Sequence, residues 1–276
     1  MSANYHTHCC FCDGKGKPEE YVEQAIKEGF SSLGFSCHGP TPFVTDWTMS
    51  EAVTEEYFLA ISCLKEKYKD NIQIYKGMEL DYFSGDSRNI FNRYDLDYTI
   101  GSVHYIKAWS NEDYLGVDDS YENFERALID YANSDIKKFA VRYYETVLEM
   151  LQKESFDILG HLDLVKKNNS GNRFFSENEK WYIELVKSAL EKISSYNVLV
   201  EVNTGGISRG YTEETYPSAW IIRECKKYDI PLVLNSDAHV PENINFYFEE
   251  ARRIIRSAGY NELWELDNGK WVSKRI

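Results

Sequence analysis

Short, mostly apolar runs that end in polar residues alternate with longer stretches whose apolar residues recur at helical spacing. A brief apolar run suits a strand covered on both faces, whereas apolar positions three and four apart over ten or more residues suit a helix with one face buried. The pattern predicts strands over 5–8, 31–37, 72–80, 98–104, 158–163, 198–203 and 232–237. Helices are predicted over 18–29, 50–68, 120–132, 134–153, 176–196, 215–228 and 246–258. Pro18 and Gly29 punctuate the first helix, and Ser176 with Glu179 offers a capping box to the fifth. Residues 262–276 read as a hairpin around Asn268-Gly269. No Pro/Gly-rich linker interrupts this α/β alternation, so residues 1–276 are expected to form one domain. Its parallel strands would either close into a barrel or stay an open, doubly wound sheet, and in both cases active groups collect where the strands end.

The histidines bear on that choice. His6, His8, His38, His104, His161 and His239 are all the histidines of the chain, and each falls at or just after the end of a predicted strand. Residues i and i+2 of a strand share a face, so His6 points with His8, and Asp237 with His239. The first and last strands are neighbours only if the sheet closes, which favours a distorted TIM-like barrel of seven parallel strands, (β/α)7. Imidazole and carboxylate donors suit divalent Zn, Mn or Fe. His6, His8, Asp13, His38, Glu79, His104, His161, Asp237 and His239 are enough candidates for three ions with bridging positions. Glu79, set in the apolar strand Lys-Gly-Met-Glu-Leu-Asp, is the candidate bridge. Asp81, Asp163 and Asn203 share strand faces with Glu79, His161 and Glu201 and read as supports behind the ligands.

Composition narrows the partners. The 276 residues include 31 Lys plus Arg against 45 Asp plus Glu, a formal charge of −14, which opposes general binding to nucleic acid or to an anionic membrane. No apolar run approaches the roughly 18 residues of a membrane span. The opening Met1-Ser2-Ala3-Asn4-Tyr5 has neither the basic nor the apolar region of a leader, so a cytoplasmic protein is expected. Six cysteines, three of them in Cys9-Cys10-Phe11-Cys12, read as reduced thiols, because no second pair follows at zinc-finger spacing. No Gly-x-Gly-x-x-Gly or Walker-type element is present.

Six motifs in order carry a resemblance. His-Thr-His at 6–8, Cys-His-Gly at 37–39, Gly-Met-Glu at 77–79, Gly-Ser-Val-His at 101–104, Gly-His-Leu-Asp at 160–163 and Ser-Asp-Ala-His at 236–239 resemble the PHP (polymerase and histidinol phosphatase) family. Val-Glu-Val-Asn-Thr-Gly-Gly-Ile-Ser-Arg-Gly at 200–210 and Tyr-Pro-Ser at 216–218 are similar to its histidinol-phosphate phosphatase branch. The resemblance implies a distorted seven-stranded barrel with three metals. Its ligand sets would be His6, His8, Glu79 and Asp237 for the first, Glu79, His104 and His161 for the second, and Asp13, His38 and His239 for the third. Asp13 departs from those members of the family that carry a histidine at its place.

The implied reaction is hydrolysis of L-histidinol phosphate to L-histidinol and phosphate in histidine biosynthesis, by in-line attack of a hydroxide bridging two ions. Three divalent ions outweigh one hydroxide and the carboxylates of Asp13, Glu79 and Asp237, leaving a positive pocket for a phosphomonoester dianion inside an acidic protein. Asp237 or His239 would relay the proton. Arg209 is the first choice for a guanidinium fork on the phosphate, with Lys167 and Arg173 as further donors. Trp109 and Glu112, and Trp47 after His38, are candidates to meet the imidazole and ammonium of the alcohol. Two alternatives use the same ligands: a PHP-type phosphodiesterase or nuclease, opposed by the charge, and a metal-binding scaffold without turnover.

Overall fold

The computed structural model describes residues 2–276 apart from Ser110 and Glu112. β1 (Ser2–Asn4) leads through α1 (Pro18–Lys27) to β2 (Phe30–Phe35), then through α2 (Glu51–Lys67) to β3 (Gln73–Asp81) and on to β4 (Tyr98–Ser102). A small antiparallel hairpin, β5 (Tyr105–Lys107) and β6 (Tyr114–Gly116), precedes the helix pair α3 (Tyr121–Ala132) and α4 (Ile136–Lys153). β7 (Ile158–Leu159), α5 (Lys180–Ile193), β8 (Leu199–Asn203) and the short α6 (Gly205–Ser208) follow. The chain ends through α7 (Ala219–Lys227), β9 (Leu232–Asn235), α8 (Phe248–Ser257) and the hairpin β10 (Glu262–Asp267) with β11 (Lys270–Arg275).

Strands β1, β2, β3, β4, β7, β8 and β9 pair side by side in that order, all parallel. A parallel bridge between Thr7 and Ala238, just past β1 and β9, joins the last strand to the first. The result is the expected distorted (β/α)7 barrel. No described helix is long and apolar enough to cross a membrane. Three of the helices that cover the barrel begin at polar caps: Ser50, Ser120 and Asp135 accept from the backbone N–H of Val53, Asn123 and Lys138.

Strand alternation sets the interior in layers. Tyr5, Tyr75, Tyr98, Ile100, Ile158, Leu199 and Val233 form one apolar cluster with Leu266 of β10, against which Trp264 and Trp271 of the terminal hairpin pack. The Tyr98 hydroxyl donates to the Tyr5 and Phe35 carbonyls at 2.5 and 3.0 Å, so the aromatic floor is tied to the strands it fills. Gly77 must lack a side chain, because a Cβ there would overlap the Tyr98 ring. Four residues beyond Tyr75 along β3 and two beyond Leu199 along β8 stand Glu79 and Glu201, both buried.

Some bounds differ from the expected ones. The first strand covers residues 2–4 rather than 5–8, because the Tyr5 N–H turns to the Asn235 side chain and that of Thr7 to the Ser36 hydroxyl instead of a ladder partner. The fifth barrel strand has two residues, and Leu164 N–H already closes a turn onto the His161 carbonyl. The predicted helix start at 215 gives way to Ala219, since Tyr216 is held in an antiparallel bridge to Asn203. Half of the capping box forms: Glu179 accepts from Ser176 N–H at 2.8 Å, but as a turn ahead of a helix that starts at Lys180. The β5–β6 hairpin was not anticipated.

Candidate metal centre

Glu79 lies at the middle of the barrel mouth, 1% exposed. Its Oε2 faces His6 Nε2 at 3.1 Å, His8 Nε2 at 3.4 Å and His38 Nδ1 at 3.0 Å. Its Oε1 faces His161 Nε2 at 2.9 Å and His104 Nε2 at 3.7 Å, and accepts from the Ser102 hydroxyl at 2.6 Å. One carboxylate thus spans two histidine sets. Asp237 completes the first: its Oδ1 lies 3.7 Å from His6 Nε2 and 3.3 Å from His8 Nε2. The backbone at Asp237 is left-handed (φ 49°), a region that aspartate enters more readily than most non-glycine residues. On the open side, Asp13 Oδ2 lies 3.2 Å from His239 Nε2, and Asp13 Oδ1 is 3.9 Å from His38 Nε2.

These contacts suit cations better than hydrogen bonds. His8 Nε2, His38 Nδ1 and Asp237 Oδ1 are buried and close to opposite-charge atoms, yet have no hydrogen-bond partner, as does His161 Nδ1. Buried polar atoms seldom stay unpaired, so donors converging without a shared hydrogen fit a metal between them. Three groups bring their ligand atoms within 4.8 Å of one another: His8, Asp13, His38 and His239; His6, His8 and Asp237; His38, Glu79 and His104. The groups overlap through His8 and His38, so all nine predicted ligands meet in one cluster once His161 is counted through Glu79.

A layer of acceptors orients the rings. His6 Nδ1 lies 2.7 Å from Glu201 Oε1, and His104 Nδ1 lies 2.6 Å from Asp81 Oδ1, which leaves each Nε2 facing inward. Burial alone would lower the pKa of these rings, but Glu201, Glu79 and Asp237 outweigh it for His6, and Asp81 and Asp118 for His104; both are raised to about 10. Burial likewise pushes Glu79 and Asp237 up, yet the surrounding imidazoles, and Arg209 beside Asp237, hold both well below the usual carboxylate range. The pocket is therefore built to contain positive charge.

The cluster opens into a cavity of about 870 Å³. Arg209 lines it, with its Nη2 donating to Asp237 Oδ2 at 2.7 Å and its Nη1 to His239 Nδ1 at 2.7 Å. Lys167 lines it too, but its ammonium is held by the Asp118 carboxylate at 3.0 Å and lies over the Tyr211 ring. Trp47 meets His38 edge-on at 4.7 Å between centroids. Two expectations need correction. Arg173 stacks on Tyr121 at 3.8 Å and borders a smaller adjoining pocket, because the turn at 170–172 carries it away from the mouth. Trp109 packs under Lys138 and Arg142 on α4 instead of overhanging the candidate ligands, since those two cations hold its ring. Glu112 lies outside the described residues. Asp163 supports no ligand ring; it pairs with Lys166 at 2.8 Å and accepts from Ser218 N–H at 3.0 Å.

Sequence reasoning missed the role of Glu201, which also accepts from His161 N–H, Asn203 and Asn235. A charged residue between two valines of a buried strand was the available signal. It also missed Asp118, Phe43 and Tyr211 on the cavity wall, for which the sequence holds no comparable sign.

A closed parallel barrel whose strand ends gather six histidines and three carboxylates defines a metal-binding (β/α) enzyme barrel. The chain belongs to the PHP domain family, whose profile matches residues 4–205. It is 30% identical over 260 residues to a probable histidinol-phosphatase of Deinococcus radiodurans, covering 92% of each chain. It is 29% identical to the histidinol-phosphatase of Bacillus subtilis over 88% of this chain and 96% of that one. The crystal structure of Lactococcus lactis histidinol phosphate phosphatase, complexed with zinc, L-histidinol and phosphate, matches with a TM-score of 0.73 at 23% identity over 98% of both chains.

Proposed function

We propose that this chain is a metal-dependent phosphomonoesterase that hydrolyses L-histidinol phosphate to L-histidinol and phosphate, with residues 1–276 acting as one unit. The observation that carries the reading is the split of Glu79 between two histidine sets. The substrate is supported by the names of the two relatives and by the molecules bound in the Lactococcus lactis enzyme.

His6, His8, Glu79 and Asp237 would hold one ion, Glu79, His104 and His161 a second, and Asp13, His38 and His239 a third, each zinc, manganese or iron. Bound there, such ions lower the pKa of water and neutralise phosphoryl charge. The protein's own part is to aim and to balance. Glu201 and Asp81 fix the tautomers of His6 and His104. Arg209 exchanges Asp237 for phosphoryl oxygens, and its buried Nε–H, without a partner, is a further donor. Asp237 or His239, which lie 3.5 Å apart, would pass a proton to the leaving oxygen. Lys167 draws the phosphate toward the mouth, and Trp47 offers a face to the imidazole.

The test is phosphate release by protein loaded with zinc or manganese. We expect L-histidinol phosphate to be preferred over other small phosphomonoesters and over a dinucleotide, and chelation to abolish turnover. Preferential cleavage of the dinucleotide would move the chain to the nuclease reading, and full metal loading without turnover to the scaffold reading. Arg209→Ala should keep its metal content and raise KM, losing about 1.5–3 kcal/mol of phosphate binding, the worth of a charge-assisted hydrogen bond. Steady-state kinetics beside elemental analysis reads both.

A further inference from the structure

The metal centre leaves the cysteine run at 9–12 unexplained, and the fold brings it against a fourth thiol. Cys9 follows His8 beyond β1, and Cys37 precedes His38 beyond the neighbouring β2. Their sulfurs lie 3.3 Å apart, both side chains fully buried, and the Cys9 N–H points at the Cys37 sulfur at 3.4 Å. Cys12 stands at the edge of this pair and is partly exposed. Its sulfur lies 3.6 Å from the Cys9 carbonyl oxygen and 3.5 Å from His8 Nδ1, and the Cys37 thiol is its neighbour. Three sulfurs thus run from the surface to the back of two predicted metal ligands.

We propose that Cys12, Cys37 and Cys9 form a thiol relay, in which a peroxide entering at Cys12 leaves a Cys9–Cys37 disulfide behind the metal centre. Cys12 sulfur attacks one peroxide oxygen, the O–O bond breaks, and a sulfenic acid and a water result. Cys37 sulfur then attacks Cys12 sulfur, its proton leaving with the displaced hydroxide as a second water. Cys9 attacks Cys37 and returns Cys12 to the thiol. Two thiols have lost two hydrogens and two electrons, and one peroxide has been reduced to two waters. Bringing the sulfurs from 3.3 Å to the roughly 2.05 Å of a disulfide pulls together the chain segments that carry His8 and His38. Oxidation therefore loosens the group formed by His8, Asp13, His38 and His239.

Zinc-loaded protein, in which the metal itself is redox-inert, should be treated with hydrogen peroxide and mapped by tandem mass spectrometry without reduction. The expected result is a loss of two hydrogens from the intact protein and a Cys9–Cys37 link. Zinc retention should weaken about tenfold, the scale of disturbing a ligand's support, and recover with a thiol reductant. Cys12→Ser should slow the linkage, and Cys37→Ala should abolish it with zinc content kept. A disulfide lacking Cys37, or oxygen added only to the exposed Cys10 and Cys63 while Cys37 still alkylates, overturns the proposal; so does linkage at an unchanged rate in Cys12→Ser. The mapping of the unsubstituted protein needs no variant to fold, and it stands whichever phosphoester the enzyme uses.

Discussion

Glu201 touches no predicted substrate atom, yet it holds the His6 ring, the His161 backbone and two asparagines together. A glutamine there keeps the shape and removes the charge that makes His6 a strong donor. Glu201→Gln should weaken metal retention by about 10–100-fold, read by competition with a chelator, while circular dichroism stays unchanged. Glu79→Gln should behave differently: metal content and phosphate release fall together, because one oxygen of the bridge becomes an amide. Turnover at the unsubstituted rate with full metal in Glu79→Gln would remove the bridge from the account. The convergence of the candidate ligands was legible in sequence because each imidazole sits at or just after a strand end, and strand ends converge in any parallel barrel. Loop residues such as Trp109 and Arg173 were not, since following a strand end does not fix which way a loop turns.

At the scale of elements, the covering helices were placed to within about four residues and five of the seven barrel strands to within about two, while β1 and β7 were not. β7 needs only two ladder residues because its neighbours, β4 and β8, hold it on both sides, a condition that no local pattern displays. The β5–β6 hairpin is three residues a side, below what alternation can register. What alternation does encode is the layering inside the barrel. Tyr75, Gly77 and Glu79 share one face of β3: a floor residue, a gap and a candidate ligand. The gap is filled by the Tyr98 ring from the next strand. Gly77→Ala should therefore act as overpacking, costing about 1–3 kcal/mol in urea unfolding, and should lower metal affinity as well, because Glu79 moves with its strand. A change confined to stability, with metal titration unaltered, would show that floor and mouth are mechanically independent.

Over the whole molecule, a chain of formal charge −14 must offer an anionic substrate a positive centre, and the buried imidazoles show how much positive charge that centre can hold. In the metal-free protein His6 and His104 have folded pKa values raised to about 10, against about 6.5 in an unfolded chain. The folded state binds their protons more tightly, so the stabilisation is fully present below about 6.5 and is lost as pH rises through about 10. A bound cation replaces those protons, and its affinity accordingly grows over the same window. The difference in Tm between zinc-loaded and chelator-treated protein should therefore widen from pH 6 to pH 9, with the metal-free protein falling and the loaded one nearly level. Zinc binding at pH 7 should also release protons, measurable by titration calorimetry in buffers of different ionisation enthalpy. If the Tm difference is flat with pH and no protons are released, the rings are already neutral before the metal arrives, and proton displacement plays no part in its binding.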